Sequence, residues 1–493
     1  MNAQEKISMG MPVSGMVIRG KVITDNLIEV GGRGGDLQFL TPDAHKYVEK
    51  LPLGNPNRLA DLYALKFDEI LDYLEDLGTR LDIEKNDHLR RARELSYMTA
   101  PTTPPLVDAV YAKLKNTFQR EKLYEEAEKS IGIRYLEGWV PEKTVKGSTI
   151  NIRCFGARTV HIVAGNSPII SAMTIIRNAM LRSDAIIKAP SNDPFTALAV
   201  AQTMCEMDPN HPITKHLSVA YWRGGDTAFE EKLYQPHNIE KIIAWGGFAS
   251  VKHVTRYIQP GLELISLDPK RSASIIGREA LESEEMMRAA AVRLATDIGG
   301  ANQNACVNAR VAYVMSGTDD AGLAKINKLG QYVYDALMNL PRSVSTKPKR
   351  YDPNLKHHVE AVRLEDEWYK VIGGKDDEGA IIVSQIPEPV GFATALIDRT
   401  ANLVPVDTMS EVLGAVNSYT QTIGIFPESM KGDLINILPL CGAQRMVSLG
   451  YATGGGADVG PHDAIEPLRR MGRWIIDEVA SPETVPALWE AKA

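Results

Sequence analysis

The sequence predicts an α/β protein built on a doubly wound parallel sheet, followed by a second αβ domain. Three observations predict it. Between residues 159 and 257, short apolar runs alternate with segments of helix length, the pattern of right-handed βαβ units. The glycines and polar residues of that region fall just after the apolar runs, where a sheet of this kind binds ligands. With 493 residues, the chain is also too long for one ordinary core.

In chain order, residues 1–50 carry short β-type runs over 15–30 and the turn Gly31-Gly32-Arg33-Gly34-Gly35. Leu59, Leu62, Leu65, Ile70, Leu71 and Leu74 give residues 56–95 a helical period, and a further helix is expected over 105–118 after the breaker Pro101-Thr102-Thr103-Pro104-Pro105. Residues 134–140 and 149–155, joined through Lys146-Gly147, are expected to pair as a protruding hairpin. Its strand edges call for cover by a second copy of the chain, so a homo-oligomer is expected. The alternating region then gives strands at 159–164, 184–189, 217–222 and 240–244, and helices at 169–182, 194–207, 227–234 and 249–257. Gly165-Asn166, Lys188, Gly224-Gly225 and Gly246-Gly247 stand at the strands' carboxyl ends. Glycines there let backbone approach a phosphate, and a helix N-terminus favours negative charge. No Gly-x-Gly-x-x-Gly is present, so a dinucleotide would be held another way.

Beyond residue 263, strands are expected near 273–276, 306–314 and 403–406, and helices near 283–296, 321–338 and 410–419. The charged segment 347–378 reads as surface loops, and 464–478 as a helix in the tail. The domain plan is therefore 1–137 with 156–262 as a cofactor-binding domain, 263–455 as a catalytic domain, and 138–155 with 456–493 as bridging elements.

Composition narrows the function classes. Hydrophobic residues at 44% and charged residues at 24% exclude a disordered or collagen-like chain. A net charge of −7 without Lys/Arg blocks gives no electrostatic footprint for nucleic acid. No apolar run approaches the roughly 18 residues of a membrane span. Cys154, Cys205, Cys306 and Cys441 form no Cys-x-x-Cys pair, which argues against a zinc site or disulfide framework and points to the reducing cytoplasm.

Within Asp297-Ile298-Gly299-Gly300-Ala301-Asn302-Gln303-Asn304-Ala305-Cys306, a helical pattern runs into a small polar loop that ends on a single thiol, directly before a β-type run. A thiol at an element boundary can be reached by substrate, with backbone N–H groups close by to stabilise a thiolate or an oxyanion. Cys306 is read as a nucleophile; a buried apolar filler is the alternative.

The ordered set Asn166-x-Pro168, Ile186-Ile187-Lys188-Ala189-Pro190-Ser191, Trp245-Gly246-Gly247 and Asn302-Gln303-Asn304-Ala305-Cys306 resembles the aldehyde dehydrogenase superfamily over roughly 138–455. Trp245-Gly246-Gly247 together with Asp268-Pro269-Lys270-Arg271-Ser272 is most similar to its LuxC-type acyl-CoA reductases, the fatty acid reductase components of bacterial luminescence systems. The resemblance implies an aldehyde-dehydrogenase-like fold. It makes Cys306 the thiol that carries the acyl group and Asn166 the side-chain oxyanion donor. Lys188 becomes the lysine at the adenosine ribose, Gly246 and Gly247 the pyrophosphate turn beside Trp245, Gly224 and Gly225 further cofactor-binding residues, and Asp398 the carboxylate near the nicotinamide ribose. Read from the residues alone, Asn166 could equally be a turn cap, Lys188 a solvated charge and the glycines ordinary turns.

Two departures from the common dehydrogenase pattern sharpen the reading. Where hydrolytic members begin Glu-Leu-Gly-Gly-Lys, this chain has Ser266-Leu267-Asp268-Pro269-Lys270, so the water-activating base is missing unless Glu263 supplies it. A thioester would then persist for reduction. Ser191 stands where NAD-preferring members often carry a glutamate that repels a 2′-phosphate, which makes NADPH the expected cofactor and NADH the alternative. The expected partners are an acyl-CoA or an acylated carrier or synthetase protein, with no nucleic acid and no membrane span. The expected reaction is reduction of a fatty acyl thioester to the aldehyde. Its rivals are oxidation of an aldehyde to an acid, acyl transfer or thioester hydrolysis without hydride transfer, and a silent scaffold.

Overall fold

The structure, a computed structural model, describes residues 3–31, 37–267, 269–454, 460–480 and 487–490. The glycine turn at 32–35, Asp268, and parts of the tail lie outside the described residues. The chain forms two compact units, one of Met1–Thr99, Tyr111–Asp268 and Val459–Ala493, the other of Ala100–Val110 and Pro269–Asp458.

The first unit is organised by a seven-stranded sheet. Its strands are β1 (Met16–Ile18), β2 (Lys21–Ile23), β7 (Arg158–Ile162), β8 (Asp184–Lys188), β9 (Leu217–Ala220), β10 (Lys241–Trp245) and β11 (Glu263–Leu267), while β3 (Leu27–Gly31) and β4 (Gln38–Pro42) pair separately. The order is β11-β10-β7-β8-β9-β1-β2, parallel from β11 to β9 and antiparallel at β1 and β2. From β7 the chain winds outward through β8 and β9, then returns to place β10 on the other side of β7. The topological switch therefore falls between the carboxyl ends of β7 and β10, where sheets of this type hold ligands. All five residues of β8 are buried, as expected of a strand covered on both faces.

Helices α1 (Phe67–Arg80) and α2 (Asp87–Thr99) belong to the same unit. Those between the parallel strands are α3 (Pro168–Met180), α4 (Thr196–Met207), α5 (Thr227–Leu233) and α6 (Phe248–Thr255). Phe67, Ile70, Leu71, Leu74 and Leu77 make α1 amphipathic, and its other face carries the ion pairs of Asp68 and Asp72 with Arg120.

A three-stranded antiparallel sheet joins β5 (Val140–Lys143), β6 (Thr149–Phe155) and β19 (Arg473–Val479), with β6 in the middle. Two expectations are corrected here. Residues 134–140 begin as the helix Ile133–Glu137, and the hairpin starts only at Val140. The tail expected to be helical over 464–478 has a single helical turn, Pro467–Met471, before it becomes β19. There, Trp474-Ile475-Ile476 meets the open edge of β6, and strand pairing outweighs a weak helical period.

The second unit holds β12 (Arg271–Ile276), β13 (Ala309–Val314), β14 (Tyr369–Gly373), β15 (Ala380–Ser384), β16 (Ala401–Pro405), β17 (Thr420–Phe426) and β18 (Arg445–Ser448). Their order is β14-β15-β16-β13-β12-β17-β18, parallel except at β14. Its main helices are α7 (Glu284–Gly299), α8 (Asp320–Met338) and α9 (Pro353–Arg363). Helix α7 starts where Ser283 accepts a hydrogen bond from the Met286 N–H. It buries Met287, Ala290, Ala291, Leu294, Ala295 and Ile298, spaced three and four apart, against Ile326, Leu329 and Val333 of α8.

Segment 347–378 is not merely surface loop. It contains α9 and β14, and Leu355 and Val359 are buried among its charged residues. The helix expected over 410–419 stops at Ala415, and the strand β17 follows it.

Candidate active site

In the first unit, the parallel sheet brings most of the expected cofactor residues to one edge. Lys188 is the last residue of β8, Trp245 ends β10, and Gly165-Asn166 forms the turn between β7 and α3. Gly224 and Gly225 form the turn before α5. Ser191 lies half-buried in the turn after Lys188, and the adjacent Asn192 donates to the Gly165 carbonyl at 3.0 Å. A Cβ on Gly165 would come within 2.1 Å of the Asn192 Oδ1, so only glycine permits this approach. Gly225 has φ +87°, the other position where a turn demands glycine. A Cβ at Gly224 or Gly247 would meet no protein atom within 4 Å. Asn166 is exposed in its turn.

The Lys188 side chain is buried, and desolvation pushes its ammonium down to about 8, opposed by the negative charge of Glu230. The ammonium lies 5.6 Å from the Trp222 ring centroid. Glu230 is buried, accepts the Tyr257 hydroxyl at 3.0 Å and pairs with the His253 Nε2. The Trp245 ring lies 5.4 Å from that of His462. Glu263, the fallback water-activating base, begins β11 at the sheet's opposite edge. Its carboxylate is taken by Lys241 and Arg470, each at 2.7 Å.

In the second unit, the expected strand start at Cys306 moves to Ala309, and the thiol occupies a turn between the 3-10 helix Gly300–Gln303 and β13, half-buried. Three consecutive residues, Ala301, Asn302 and Gln303, have positive φ, a costly backbone for side chains other than glycine. Buried side-chain amides hold it in place. The Gln303 Nε2 donates to the carbonyls of Ala309 and Thr400, and its Oε1 accepts the Thr400 N–H, each at 2.9 Å. The Asn302 Oδ1 accepts the Thr346 N–H at 2.8 Å. The Asn308 Oδ1 accepts the Ala305 N–H at 2.9 Å, and its Nδ2 donates to the carbonyls of Asp297 and Gly300 at 3.0 Å.

Asp297, fully buried at the end of α7, accepts the N–H groups of Gly450 and Ala452 at 2.8 and 2.9 Å. Burial pushes its carboxyl up to about 6 against those two hydrogen bonds. The Ser272 Oγ donates to the Cys306 carbonyl at 2.8 Å and accepts the Thr422 N–H.

The charge around the thiol is positive. Burial and the neighbouring Arg271 push the Arg310 guanidinium down to about 10, and a negative Cys306 opposes that shift. Arg445 is lowered by burial and raised by Asp297 and Cys306. A thiolate at Cys306 is thus attracted by two guanidiniums, the setting in which cysteines become reactive. Cys154 and Cys205 are kept as thiols, since burial pushes both up to about 11.

Asp398 precedes Thr400, the backbone partner of Gln303, by two residues. It has φ +54°, its carboxylate accepts the Asp352 N–H at 2.9 Å beside the start of α9, and burial pushes it up to about 6. Asp297, Asn302 and Gln303 stood in the stretch before the thiol without an assigned role, and Asn308, Arg310 and Arg445, which follow it, were passed over. The density of amides before the thiol was the signal for Asn302 and Gln303.

The chain has likenesses to known proteins in family and in fold. The family model described as acyl-CoA reductase (LuxC) matches residues 62–474. The chain is 28% identical over 481 residues to the long-chain acyl-protein thioester reductase of Photorhabdus laumondii, covering 94% of this chain and 91% of that one. It is 25% identical to the protein of the same name from Vibrio harveyi, covering 94% and 92%. Among solved structures it resembles lactaldehyde dehydrogenase from Escherichia coli, with TM-score 0.71, 15% identity and coverage of 96% and 100%. It also resembles an NADP-dependent glyceraldehyde-3-phosphate dehydrogenase from Bacillus halodurans solved with NADP, with TM-score 0.70, 12% identity and coverage of 94% and 98%. These two likenesses establish an aldehyde-dehydrogenase-like fold. Among the described residues, no helix is long and apolar enough to cross a membrane.

Proposed function

The chain belongs to the LuxC family of acyl-CoA reductases, and from that premise we propose that it reduces a fatty acyl thioester to the free aldehyde with NADPH, through a covalent thioester on Cys306. The observation that carries this reading is the half-buried thiol on a loop held by buried amides, with Arg310 and Arg445 attracting its charge.

The Cys306 thiolate attacks the acyl carbonyl carbon, and the new C–S bond forms as the old one breaks. The leaving sulfur departs as the thiolate of CoA, or of an acylated protein such as the substrates named for the curated relatives. The Asn166 amide serves as an oxyanion donor, a contact commonly worth about 10²–10³ in rate. A nicotinamide held by the residues of the first unit would supply the hydride for the second stage. Loss of the Cys306 sulfur from the resulting thiohemiacetal releases aldehyde and restores the thiolate.

The residues of the first unit fit a nicotinamide dinucleotide. Gly224 and Gly247 leave open the space a Cβ would fill, which lets a pyrophosphate approach the backbone, and Lys188 offers a buried cation. Lys188 and Ser191 accept a 2′-phosphate without a repelling carboxylate at position 191. Trp245, Gly246 and Gly225 complete the turns around it. Asp398 is assigned no part, because its carboxylate is engaged with Asp352. The ion pairs of Glu263 favour reduction over hydrolysis, since they occupy the candidate base.

The test is NADPH oxidation by the full chain across a panel of acyl-CoA esters, with the aldehyde trapped. Turnover is expected to depend on acyl-CoA and to fall at least a thousandfold in Cys306→Ala. CoA-independent production of acid from aldehyde and NADP, or full turnover by Cys306→Ala, would overturn the reading.

A further inference from the structure

The second unit contains a cavity of about 660 Å³ that the proposed reaction does not use. Its polar wall comprises Arg342, Lys347, Arg399, Thr103, Ser345 and Thr346, and its apolar wall Pro104, Pro105, Met338 and Leu340. Among the described residues, no carboxylate lines it. The size suits a small molecule, and pockets of roughly 300–1,000 Å³ are usual for such ligands.

Three cations line this cavity, and the negative charge of Glu378 that acts on Arg399 is outside its wall. Among the described residues, neither Arg342 nor Lys347 forms an ion pair. Arg399 is 4% exposed; it donates to the Leu337 carbonyl at 2.6 Å, while its Nε has no hydrogen-bond partner. A buried guanidinium N–H left unpaired is costly, and an anion received there would remove the cost. Its backbone is held at φ +63°, so the side chain is presented from a strained position between Asp398 and β16.

The hydroxyls are ordered as well. Thr103 and Thr346 share a hydrogen bond at 2.6 Å, and the Asn302 Nδ2 donates to the Thr346 Oγ1 at 3.1 Å. Ser345 and Thr346 of the polar wall therefore also hold the nucleophile loop, through Asn302.

We propose that this cavity is a second anion site, which takes a phosphate group, free or carried on a small organic body. Two arginines and a lysine match phosphate better than a single carboxylate, because guanidinium forks pair with phosphate oxygens two at a time. The hydroxyls supply further donors, and the prolines, Met338 and Leu340 receive the uncharged part. The phosphate comes either from the free ion or from the phosphopantetheine arm that carries acyl groups. Only the second source rests on the acyl-thioester reading.

Calorimetric titration of the full chain, saturated with NADPH so that the cofactor site is filled, tests the site. The probes are inorganic phosphate, 4′-phosphopantetheine and pantetheine. Both phosphates are expected to bind, and pantetheine at least tenfold more weakly than its phosphorylated form. Tighter binding of 4′-phosphopantetheine than of phosphate assigns the cavity to the acyl-carrying arm; equal binding assigns it to the free ion.

The surface double variant Arg342→Ser/Lys347→Ser should lower phosphate affinity at least tenfold and leave NADPH affinity unchanged. Arg399→Gln should do the same if circular dichroism shows it folded. Cys306→Ala should bind phosphate as the parent does, which separates this site from the proposed chemistry. Equal phosphate affinity in the parent and the double variant, or no binding at millimolar phosphate, overturns the proposal.

Discussion

Lys188 shows how burial tunes one residue in two opposite senses. Desolvation lowers its ammonium from 10.5 to about 8, because Glu230 compensates only part of the lost hydration. If the charge holds the cofactor, kcat/KM for NADPH falls as pH rises through about 8, and Lys188→Arg, which stays charged, carries the plateau beyond pH 9. Stability moves the other way. Between about 8 and 10.5 the unfolded chain binds the proton more tightly than the folded one, so this residue's contribution to stability rises with pH across that window. Below pH 8 the buried charge is a constant cost. A pH–rate profile for NADPH that is flat to pH 9.5 would remove Lys188 from cofactor binding. The position of Lys188 at a strand end was legible in the run Ile186-Ile187-Lys188. Its burial was not, since Glu230, Trp222, His253 and Tyr257 come from later segments.

At the scale of the element, the loop from Gly300 to Asn308 is a backbone under strain held by side-chain amides. Asn308 alone joins the Ala305 N–H to the carbonyls of Asp297 and Gly300. Asn308→Ala leaves one donor and two acceptors unpaired in a buried site, and is expected to cost about 3 kcal/mol in urea unfolding. Turnover should fall in parallel while NADPH affinity holds, because the residues proposed to hold the cofactor are in the other unit. An Asn308→Ala protein with parental stability would show that the amides do not hold the loop. The sequence displayed the density of amides but hid their purpose, because Thr400, the partner of Gln303, and Thr346, the partner of Asn302, lie far along the chain. The helix over 353–363 was missed for a related reason. Only Leu355 and Val359 are buried within it, too few to mark a period among the charges, and they become core only when β15 and its neighbours pack over them.

At the scale of the molecule, the β5–β6–β19 sheet leaves Ile475, Ile476 and Val479 at 40%, 50% and 60% exposure along an edge strand. Apolar side chains on a strand with one open edge are a surface that natural proteins cover. A homo-oligomer is the expected state, and light scattering should give a mass at least twice that of the 54.2 kDa chain. Ile476→Asp should shift that mass toward the monomer. A monomeric parent protein would dismiss the expectation.

The sequence by itself determined the family, the doubly wound sheet and the thiol. These depend on contiguous patterns: the alternation of apolar runs with helices, and motifs in a set order. Tertiary structure alone decided that the tail completes a sheet with β6, that the amides of the thiol's loop find Thr346 and Thr400, and that three cations line one cavity. Each of these is a meeting of segments remote in the chain, and strand edges, buried hydrogen bonds and clustered charge acquire their energies only once packing has excluded water.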